Sequence, residues 1–146
     1  MSAVAPNVSV KDFGKTVVRA TFNKNWAHQS YDDEPSVVVK KSDGSVKMRR
    51  WDTGSSRGRE NGPCEERFHS NGQLDYRIFK VPGVGYHRTD GPACVQFDKD
   101  GNCAWEEFWE NGKFLRGWML YWSCPSKEMT MENATRVELD EGAHLY

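Results

Sequence analysis

The sequence predicts an all-β or β-rich fold, an antiparallel meander of repeated hairpins, and three observations support this. Six Trp, five Tyr and seven Phe make up 12% of the 146 residues, and large aromatic residues are enriched in strands. Asp-Gly and Asn-Gly pairs separate short runs of aromatic and β-branched residues, a pattern typical of hairpin turns. These runs also recur at a fixed spacing, which indicates several copies of one hairpin unit.

The repeat is clearest in the middle of the chain. The segment Arg59–Pro63 (RENGP) aligns with Arg88–Pro92 (RTDGP) at a spacing of 29 residues, and the same spacing places Phe68 on Phe97. A weaker copy lies upstream, around Asp43-Gly44. We therefore predict a single domain, 1–146, with hairpin repeats at about residues 36–58, 59–87 and 88–122 and non-repeating ends.

The turns also predict which residues lie opposite each other. A loop such as Ser70-Asn71-Gly72, interpreted as a type I turn followed by a bulge glycine, fixes the register of its hairpin. The turn at Asp100-Gly101 has the same pattern. The predicted pairs are Phe68–Leu74, Arg67–Asp75, Glu66–Tyr76 and Glu65–Arg77 in the first hairpin, and Phe97–Cys103 and Val95–Trp105 in the second.

The strand after the Asn111-Gly112 turn is apolar on both of its faces. Alternation places four large residues on one side and three on the other, so this strand needs cover on both faces. The first set is Phe114, Trp118, Leu120 and Trp122, and the second is Leu115, Met119 and Tyr121.

The two ends of the chain give weaker patterns. We predict a strand over Thr16–Phe22, an acidic loop over Tyr31–Pro35 and a strand at Val37–Val39. After Pro125 the pattern is compatible with a short helix near Met129 or with a strand through Val137 and Leu139.

Charge is balanced overall and uneven along the chain. The net charge is −1, but residues 1–59 hold 11 Lys/Arg against 6 Asp/Glu, and residues 60–146 hold 9 against 15. The uneven halves suggest complementary parts of one fold or of adjacent subunits. They also allow a nucleic-acid-binding patch in the basic half, formed by Lys40, Lys41, Lys47, Arg49 and Arg50.

The sequence argues against catalysis and against a metal site. Zinc needs four converging ligands at about 2.0–2.3 Å, and the spacings of His69, His87, Cys64, Cys94 and Cys103 do not provide them. Adjacent carboxylates such as Glu65-Glu66 and Glu106-Glu107 face opposite ways in a strand. We therefore expect no cofactor, no metal and no enzymatic activity.

Cysteine usage and hydropathy predict the compartment. The four cysteines show no CxxC and no dense disulfide framework, so we expect free, reduced thiols. No apolar run approaches the roughly 20 residues that a membrane-spanning helix needs, and no secretory signal pattern is present. We expect a cytoplasmic protein.

The repeated segments resemble a known type of protein. RENGP at Arg59, HRTDGPA at His87 and WENGKFLRG at Trp109 are similar to the degenerate hairpin repeats of bacteriophage and giant-virus proteins, and to MORN-like antitoxin repeat proteins of bacteria. The resemblance covers about residues 43–122. It implies scaffolding or protein contact, without shared catalytic residues, in a viral accessory or structural protein. Such a protein would lie in the host cell cytoplasm or in a virion.

Together these observations predict a non-enzymatic protein-binding or assembly module. We expect an aromatic contact surface whose exposed part is Trp109 together with Tyr86, His87 and Arg88. We also expect a protein partner or self-association, and no membrane contact. A nucleic-acid-binding β module is the alternative, and a small hydrolase is the third interpretation. The predicted contact residues are Tyr86, His87, Arg88, Trp109, Trp118, Tyr121 and Trp122.

Overall fold

The computed structural model describes residues 4–54, 56–122 and 134–140, with backbone only at Trp122. These residues form fourteen strands, and none of them is helical, so this part of the chain has no helix that could cross a membrane. The strands are β1 (Asn7–Asp12), β2 (Thr16–Phe22), β3 (Val37–Lys41), β4 (Val46–Arg50), β5 (Asp52–Thr53), β6 (Ser56–Arg57), β7 (Glu65–Phe68), β8 (Leu74–Ile78), β9 (Lys80–Val81), β10 (Gly85–Tyr86), β11 (Cys94–Phe97), β12 (Cys103–Glu110), β13 (Lys113–Trp122) and β14 (Ala134–Leu139).

Ten of the strands form one antiparallel sheet in meander order. The order is β1-β2-β3-β4-β7-β8-β11-β12-β13-β14, so each strand pairs with its neighbour in the chain once the short strands are set aside. The short strands form two ribbons, β5–β6 and β9–β10, inside the connections between hairpins. The predicted fold class, an antiparallel β meander, is confirmed.

The strand predictions at the ends hold where the structure describes them. The strand Thr16–Phe22 has the predicted bounds, and the strand at Val37 extends to Lys41. Strand β14 passes through Val137 and Leu139. The helix considered near Met129 falls outside the described residues.

The register of the β7–β8 hairpin was predicted correctly next to the turn and wrongly beyond it. Phe68 pairs with Leu74 as expected, but Arg67 pairs with Tyr76 and not with Asp75. A β-bulge at this point leaves Asp75 as an extra residue, and it shifts every later pair by one. The predicted pairs Glu66–Tyr76 and Glu65–Arg77 are replaced by Glu66–Arg77 and Glu65–Ile78.

The same irregularity recurs in three other hairpins. Register shifts occur between Val39 and Lys40, between Gln96 and Phe97, and between Phe108 and Trp109. The bulges change which side chains share a face, since a shift of one residue exchanges the faces. The corrected pairs are Gln96–Trp105 and Val95–Glu106 in place of Val95–Trp105, while Phe97–Cys103 is as predicted.

The bulge in the β12–β13 hairpin also corrects the two apolar sets predicted for β13. Phe114 pairs with Trp109, whereas Arg116 pairs with Phe108. Met119 pairs with Trp105, and alternation places Trp105 and Trp109 on the same side of β12. Phe114 therefore lies on the same face as Met119, and Trp118 lies on the other face.

The sheet has an inner face that holds the core and an outer face that is mainly polar. The core cluster consists of Cys64, Ile78, Cys94 and Trp105, with Tyr76, Tyr86, Met119 and Leu139 packed against it. Across the central strands the inner face also carries two buried carboxylates, Glu65 and Glu107. On the outer face an Arg–Glu ladder runs through Arg49, Glu66 and Arg77, with an Nη–Oε distance of 2.7 Å between Arg77 and Glu66.

Side chains at the hairpin turns connect successive repeats. Lys41 Nζ donates to the carbonyl of Ser70 at 3.1 Å, and Asn71 Nδ2 donates to the carbonyl of Lys99 at 2.7 Å. These donors and acceptors are separated by 29 and 28 residues, so each bond joins equivalent turns of adjacent repeats. Residues one repeat apart in the sequence are therefore neighbours in the sheet and bond to each other.

Candidate functional site

The repeated RxxGP segment forms a loop at the ends of the strands opposite to the Asn71-Gly72 and Asp100-Gly101 turns. In its first copy the guanidinium of Arg59 stacks on the ring of Trp51 at 3.9 Å, and Arg59 Nε donates to the carbonyl of Pro63 at 2.8 Å. A Cβ at Gly62 would lie 2.5 Å from Arg59 Nη2. The motif therefore needs glycine at this position so that the arginine can fold over its own loop.

The second copy repeats this geometry. Arg88 stacks on Phe79 at 4.0 Å, donates from Nη1 to the carbonyl of Pro92 at 3.1 Å, and pairs through Nε with Asp90 at 2.9 Å. A Cβ at Gly91 would lie 2.8 Å from Arg88 Cζ. The arginine, glycine and proline of the motif thus have one common role, which is to fix an arginine on an aromatic ring.

A third arginine–aromatic stack stands beside the second. Arg116 in β13 lies over the ring of Phe108 in β12 at 4.0 Å. Between this stack and the Arg88 loop is an open groove of about 390 Å³, and Leu115 at its wall is 51% exposed. We call it the arginine groove, and its lining includes Arg88, Asp90, Phe108, Glu110, Leu115 and Arg116.

A similar groove lies one repeat earlier. It occupies about 320 Å³ between the Arg59 loop and the Arg88 loop, and Phe79 and His87 line it. Arg88 and Asp90 line both grooves. The spacing of the repeat therefore generates two adjacent grooves that share one wall, and the arginine groove differs from the earlier one by its exposed leucine.

Comparison with protein-family models, curated proteins and solved structures finds no match. The grooves are therefore interpreted from their own chemistry.

The structure corrects the predicted position of Trp109. Its side chain is only 8% exposed, and its ring packs at 5.1 Å from Tyr86 and at 5.5 Å from Phe114. Trp109 Nε1 donates to Glu107 Oε1 at 2.9 Å, and Trp105 Nε1 donates to Glu107 Oε2 at 2.7 Å. Trp109 is therefore a core residue. Alternation in the sequence W-E-E-F-W already places these three side chains on one face of the strand.

Tyr86, His87 and Arg88 hold the loop against the β12–β13 hairpin. His87 Nδ1 accepts a hydrogen bond from the backbone N–H of Asn111 at 2.9 Å, and the Arg88 N–H donates to the carbonyl of Trp109 at 3.0 Å. Tyr86 accepts from the N–H of Gly112 at 2.9 Å through its carbonyl. These contacts position the wall of the arginine groove, and Arg88 is the predicted contact residue that lines it.

Two of the other predicted contact residues, Trp118 and Tyr121, do not join this surface. Trp118 lies on the outer face, where its Nε1 donates to Glu106 at 3.0 Å and Arg136 stacks on its ring at 4.5 Å. Tyr121 is 59% exposed, and alternation along β13 puts it on the inner face. The Trp122 side chain lies outside the described part of the structure. The single aromatic surface predicted from the sequence is thus divided.

The predicted basic patch is also divided. Lys40 and Arg49 lie on the outer face, Lys41 and Arg50 lie on the inner face, and Lys47 is the extra residue of the β3–β4 bulge. Arg49 is within 3.6 Å of Glu66, and Arg50 pairs with Asp52 at 3.0 Å. Lys41 is bonded to a neighbouring turn. Nothing in this arrangement brings the five cations to one groove.

The adjacent carboxylates separate as strand geometry requires. Glu65 accepts from the hydroxyl of Tyr76 at 2.5 Å on the inner face, while Glu66 pairs with Arg77 on the outer face. Glu107 and Glu106 separate in the same way, each accepting from indole N–H groups. Across the described ranges, no three His, Cys, Asp or Glu side chains gather where they could hold a metal ion.

Three cysteines have free thiols, and Cys124 lies outside the described residues. Cys64 and Cys94 are fully buried, and burial raises the pKa of the Cys64 thiol to about 12. Burial, together with the nearby Glu107 carboxylate, also raises the pKa of Cys94. The half-buried Cys103 has its pKa raised to about 11, mainly by desolvation.

These thiols are expected to react slowly in the folded protein. Because the thiolate is the nucleophile, a raised pKa and burial both suppress attack on an alkylating reagent. At pH 8, Cys64 and Cys94 should react only as fast as the chain unfolds, and Cys103 should react before them. Timed alkylation followed by peptide mass spectrometry measures these rates, with urea-unfolded protein as the control. Rapid labelling of Cys64 in the folded state would contradict this assignment.

Proposed function

We propose that this chain is a non-enzymatic protein-binding module whose contact surface is the arginine groove. The observation that carries the proposal is the pair of arginine–phenylalanine stacks, Arg88 on Phe79 and Arg116 on Phe108, beside the exposed side chain of Leu115. Arginine and aromatic residues are enriched among the residues that dominate binding energy at protein interfaces. The proposed surface belongs to the repeat loops, and it replaces the sheet surface expected from the sequence.

The stacks favour binding because they fix the arginines before a partner arrives. A free arginine side chain loses roughly 0.5–1.5 kcal/mol of conformational entropy when an interface immobilises it. Stacking on Phe79, together with bonds to Asp90 and Pro92, already restricts Arg88. A guanidinium has five N–H donors, so Arg88 keeps donors beyond those it uses within its own loop.

The charges of the groove indicate the chemistry of the partner. Arg88 and Arg116 are accompanied by the carboxylates of Asp90 and Glu110 in the same lining. A polyphosphate would meet these carboxylates at close range, whereas a protein surface can offer both charge signs around an apolar side chain. We therefore propose a protein partner that packs an apolar residue on Leu115 and Phe108. A viral setting rests on the resemblance of the repeats alone.

Site-specific photo-crosslinking tests this proposal in the full-length chain. A photoreactive amino acid at Leu115, in protein expressed in its native cells, should give one discrete crosslinked species, identified by mass spectrometry. The same probe at Val137, which is 41% exposed and lies on β14 outside the groove lining, is the control. Substitution Arg116→Ala should lower the crosslink at Leu115 about tenfold or more, since removing an interface arginine of this kind costs about 2 kcal/mol.

A matched arginine variant separates contact from folding. Arg136 also stacks on an aromatic ring, that of Trp118, but outside the groove. Arg136→Ala should leave the Leu115 crosslink unchanged, and circular dichroism should show both variants folded. Equal crosslinking at Leu115 and Val137, or a crosslink that survives Arg116→Ala, would rule out the arginine groove as the contact surface.

A further inference from the structure

We propose that two copies of this chain pair through the edge strand β1, forming a twofold dimer with one continuous sheet. Strand β1 lies at one edge of the sheet, and the arginine groove lies near the other edge, at β12 and β13. The proposal does not depend on the groove. An edge strand can add a further strand through its outward backbone groups. Three features of β1 identify a second copy as the added strand.

The first feature is the direction of the backbone groups in β1. Val8 lies opposite Thr21, whose N–H donates to Ser36 at 2.8 Å and whose carbonyl accepts from Gln29 at 3.1 Å. Both backbone groups of Thr21 therefore point away from β1. In an antiparallel pair this leaves the N–H and C=O of Val8 pointing away from β2, to the edge where the described residues contain no further strand, and alternation does the same for Val10.

The second feature is the apolar surface of this edge. Val8 is 48% exposed and Val10 is 64% exposed, and both side chains lie on the outer face. Val4 and Phe13, which flank the strand, are 82% and 65% exposed. Natural edge strands usually carry charges or proline that prevent pairing. In β1 the charged residues, Lys11 and Asp12, lie at the C-terminal end, and the middle of the strand carries the two valines.

The other edge of the sheet is protected in that manner. On the outer face β14 carries Arg136 and Glu138, which pair with each other at 2.8 Å. Joining β1 to the β14 of another copy, with the faces matched, would place Val8 and Val10 against these charges. The charged edge therefore disfavours head-to-tail association, and the two edges are not equivalent.

The third feature is that β1 is complementary to itself. When two β1 strands run antiparallel about Ser9, Val8 of each copy lies opposite Val10 of the other. These are the residues whose backbone groups point outward, so each such pair exchanges both of its hydrogen bonds. Lys11 then lies opposite Asn7, and Phe13 opposite Ala5. No like charges face each other in this register.

The charge around the edge also permits this dimer. Residues 4–36 hold four Lys/Arg and four Asp/Glu, although the first 59 residues as a whole are basic. The basic excess lies in β3, β4 and the connection that follows, away from the paired edge. Two copies that meet at β1 therefore experience little net repulsion, and salt should change their affinity weakly.

Light scattering coupled to size-exclusion chromatography tests the dimer. The wild-type chain should approach twice the monomer mass as its concentration rises. Val10→Lys and Val10→Pro should both remain monomeric at every concentration. The Val10 N–H points to the open edge, so proline there removes no bond to β2 and leaves the fold intact, as circular dichroism should show. Val137→Lys on β14 is the matched control and should dimerise like the wild type.

A cysteine at the twofold axis tests the register. Ser9 would lie opposite its own copy in a non-hydrogen-bonded pair, with Cα atoms about 4.5 Å apart, which a disulfide can span. Mild oxidation should crosslink Ser9→Cys at least tenfold faster than Lys11→Cys, with wild-type protein giving the background. A wild-type chain that stays monomeric, loss of the dimer in Val137→Lys, or equal crosslinking of the two cysteine variants would overturn the proposal.

Discussion

Substituting Glu107→Gln is expected to lower the free energy of unfolding by about 3 kcal/mol. The side chain is 1% exposed, and its two oxygens accept from the indole N–H groups of Trp105 and Trp109. Glutamine has one acceptor oxygen and one amide nitrogen, so one indole donor would face another donor. A buried donor without an acceptor costs about 1–3 kcal/mol, and loss of a charge-assisted bond adds to this.

The neighbouring glutamate provides a matched control. Glu106 is on the outer face and accepts one indole bond, from Trp118 at 3.0 Å. Glu106 is only partly buried, and Glu106→Gln keeps an oxygen for that bond. We therefore expect a loss of about 1 kcal/mol or less, since the bond changes only from charged to neutral. Urea unfolding followed by far-ultraviolet circular dichroism gives both values. Similar losses for the two substitutions would show that the Trp–Glu–Trp arrangement does not stabilise the core as inferred.

Substituting Gly112→Ala is expected to lower the free energy of unfolding by about 3 kcal/mol or more. A Cβ at this position would overlap the carbonyl oxygen of Val84, and the backbone has φ +77°. Since the obstacle is backbone, it cannot turn aside as a side chain could. The hydrogen bond from the Gly112 N–H to Tyr86 would be lost with the close approach of the two loops. Strain of this kind costs about 1–3 kcal/mol before the overlap is counted.

A second glycine separates the overlap from the backbone preference. Gly72 has φ +88° and no atom within 4 Å of the position of a Cβ. Gly72→Ala should therefore cost only about 1–2 kcal/mol, the usual cost of a left-handed conformation for a residue with a side chain. Thermal and urea unfolding of both variants measures the difference. Equal losses would mean that the contact between the β9–β10 ribbon and the β12–β13 turn adds nothing to stability.

The meander could be predicted from the sequence because its turns depend on local chemistry. The hairpin turns need a residue with positive φ, which the glycine of an Asn-Gly or Asp-Gly pair adopts at little cost. The positions of the short strands then follow from the spacing of these turns. The bulges were not predictable in this way. An extra residue such as Asp75 has no distinctive side chain, and its position depends on how the whole sheet twists.

The proposed site illustrates a second limit. Arg88 was predicted as a contact residue, but no arginine was predicted to stack on a ring, although an aromatic residue precedes each stacked arginine by eight or nine positions: Trp51 and Arg59, Phe79 and Arg88, Phe108 and Arg116. This spacing is a usable signal for the stacks. Leu115 was assigned to the buried set of its strand, and only the bulge beside it explains why it faces the groove.

The repeat has a consequence for how such a sheet could change in length. Glu65 and Cys94 begin equivalent strands that run in the same direction, and both point to the inner face, so one unit returns the chain to its starting orientation. Duplication of a gene segment that encodes one unit would therefore insert two strands without inverting any side chain that follows. Such an insertion would add one more groove to the row and leave both terminal edges as they are. The number of hairpin repeats could thus change by whole units during evolution, as in tandem-repeat proteins, while the terminal strands stay the same.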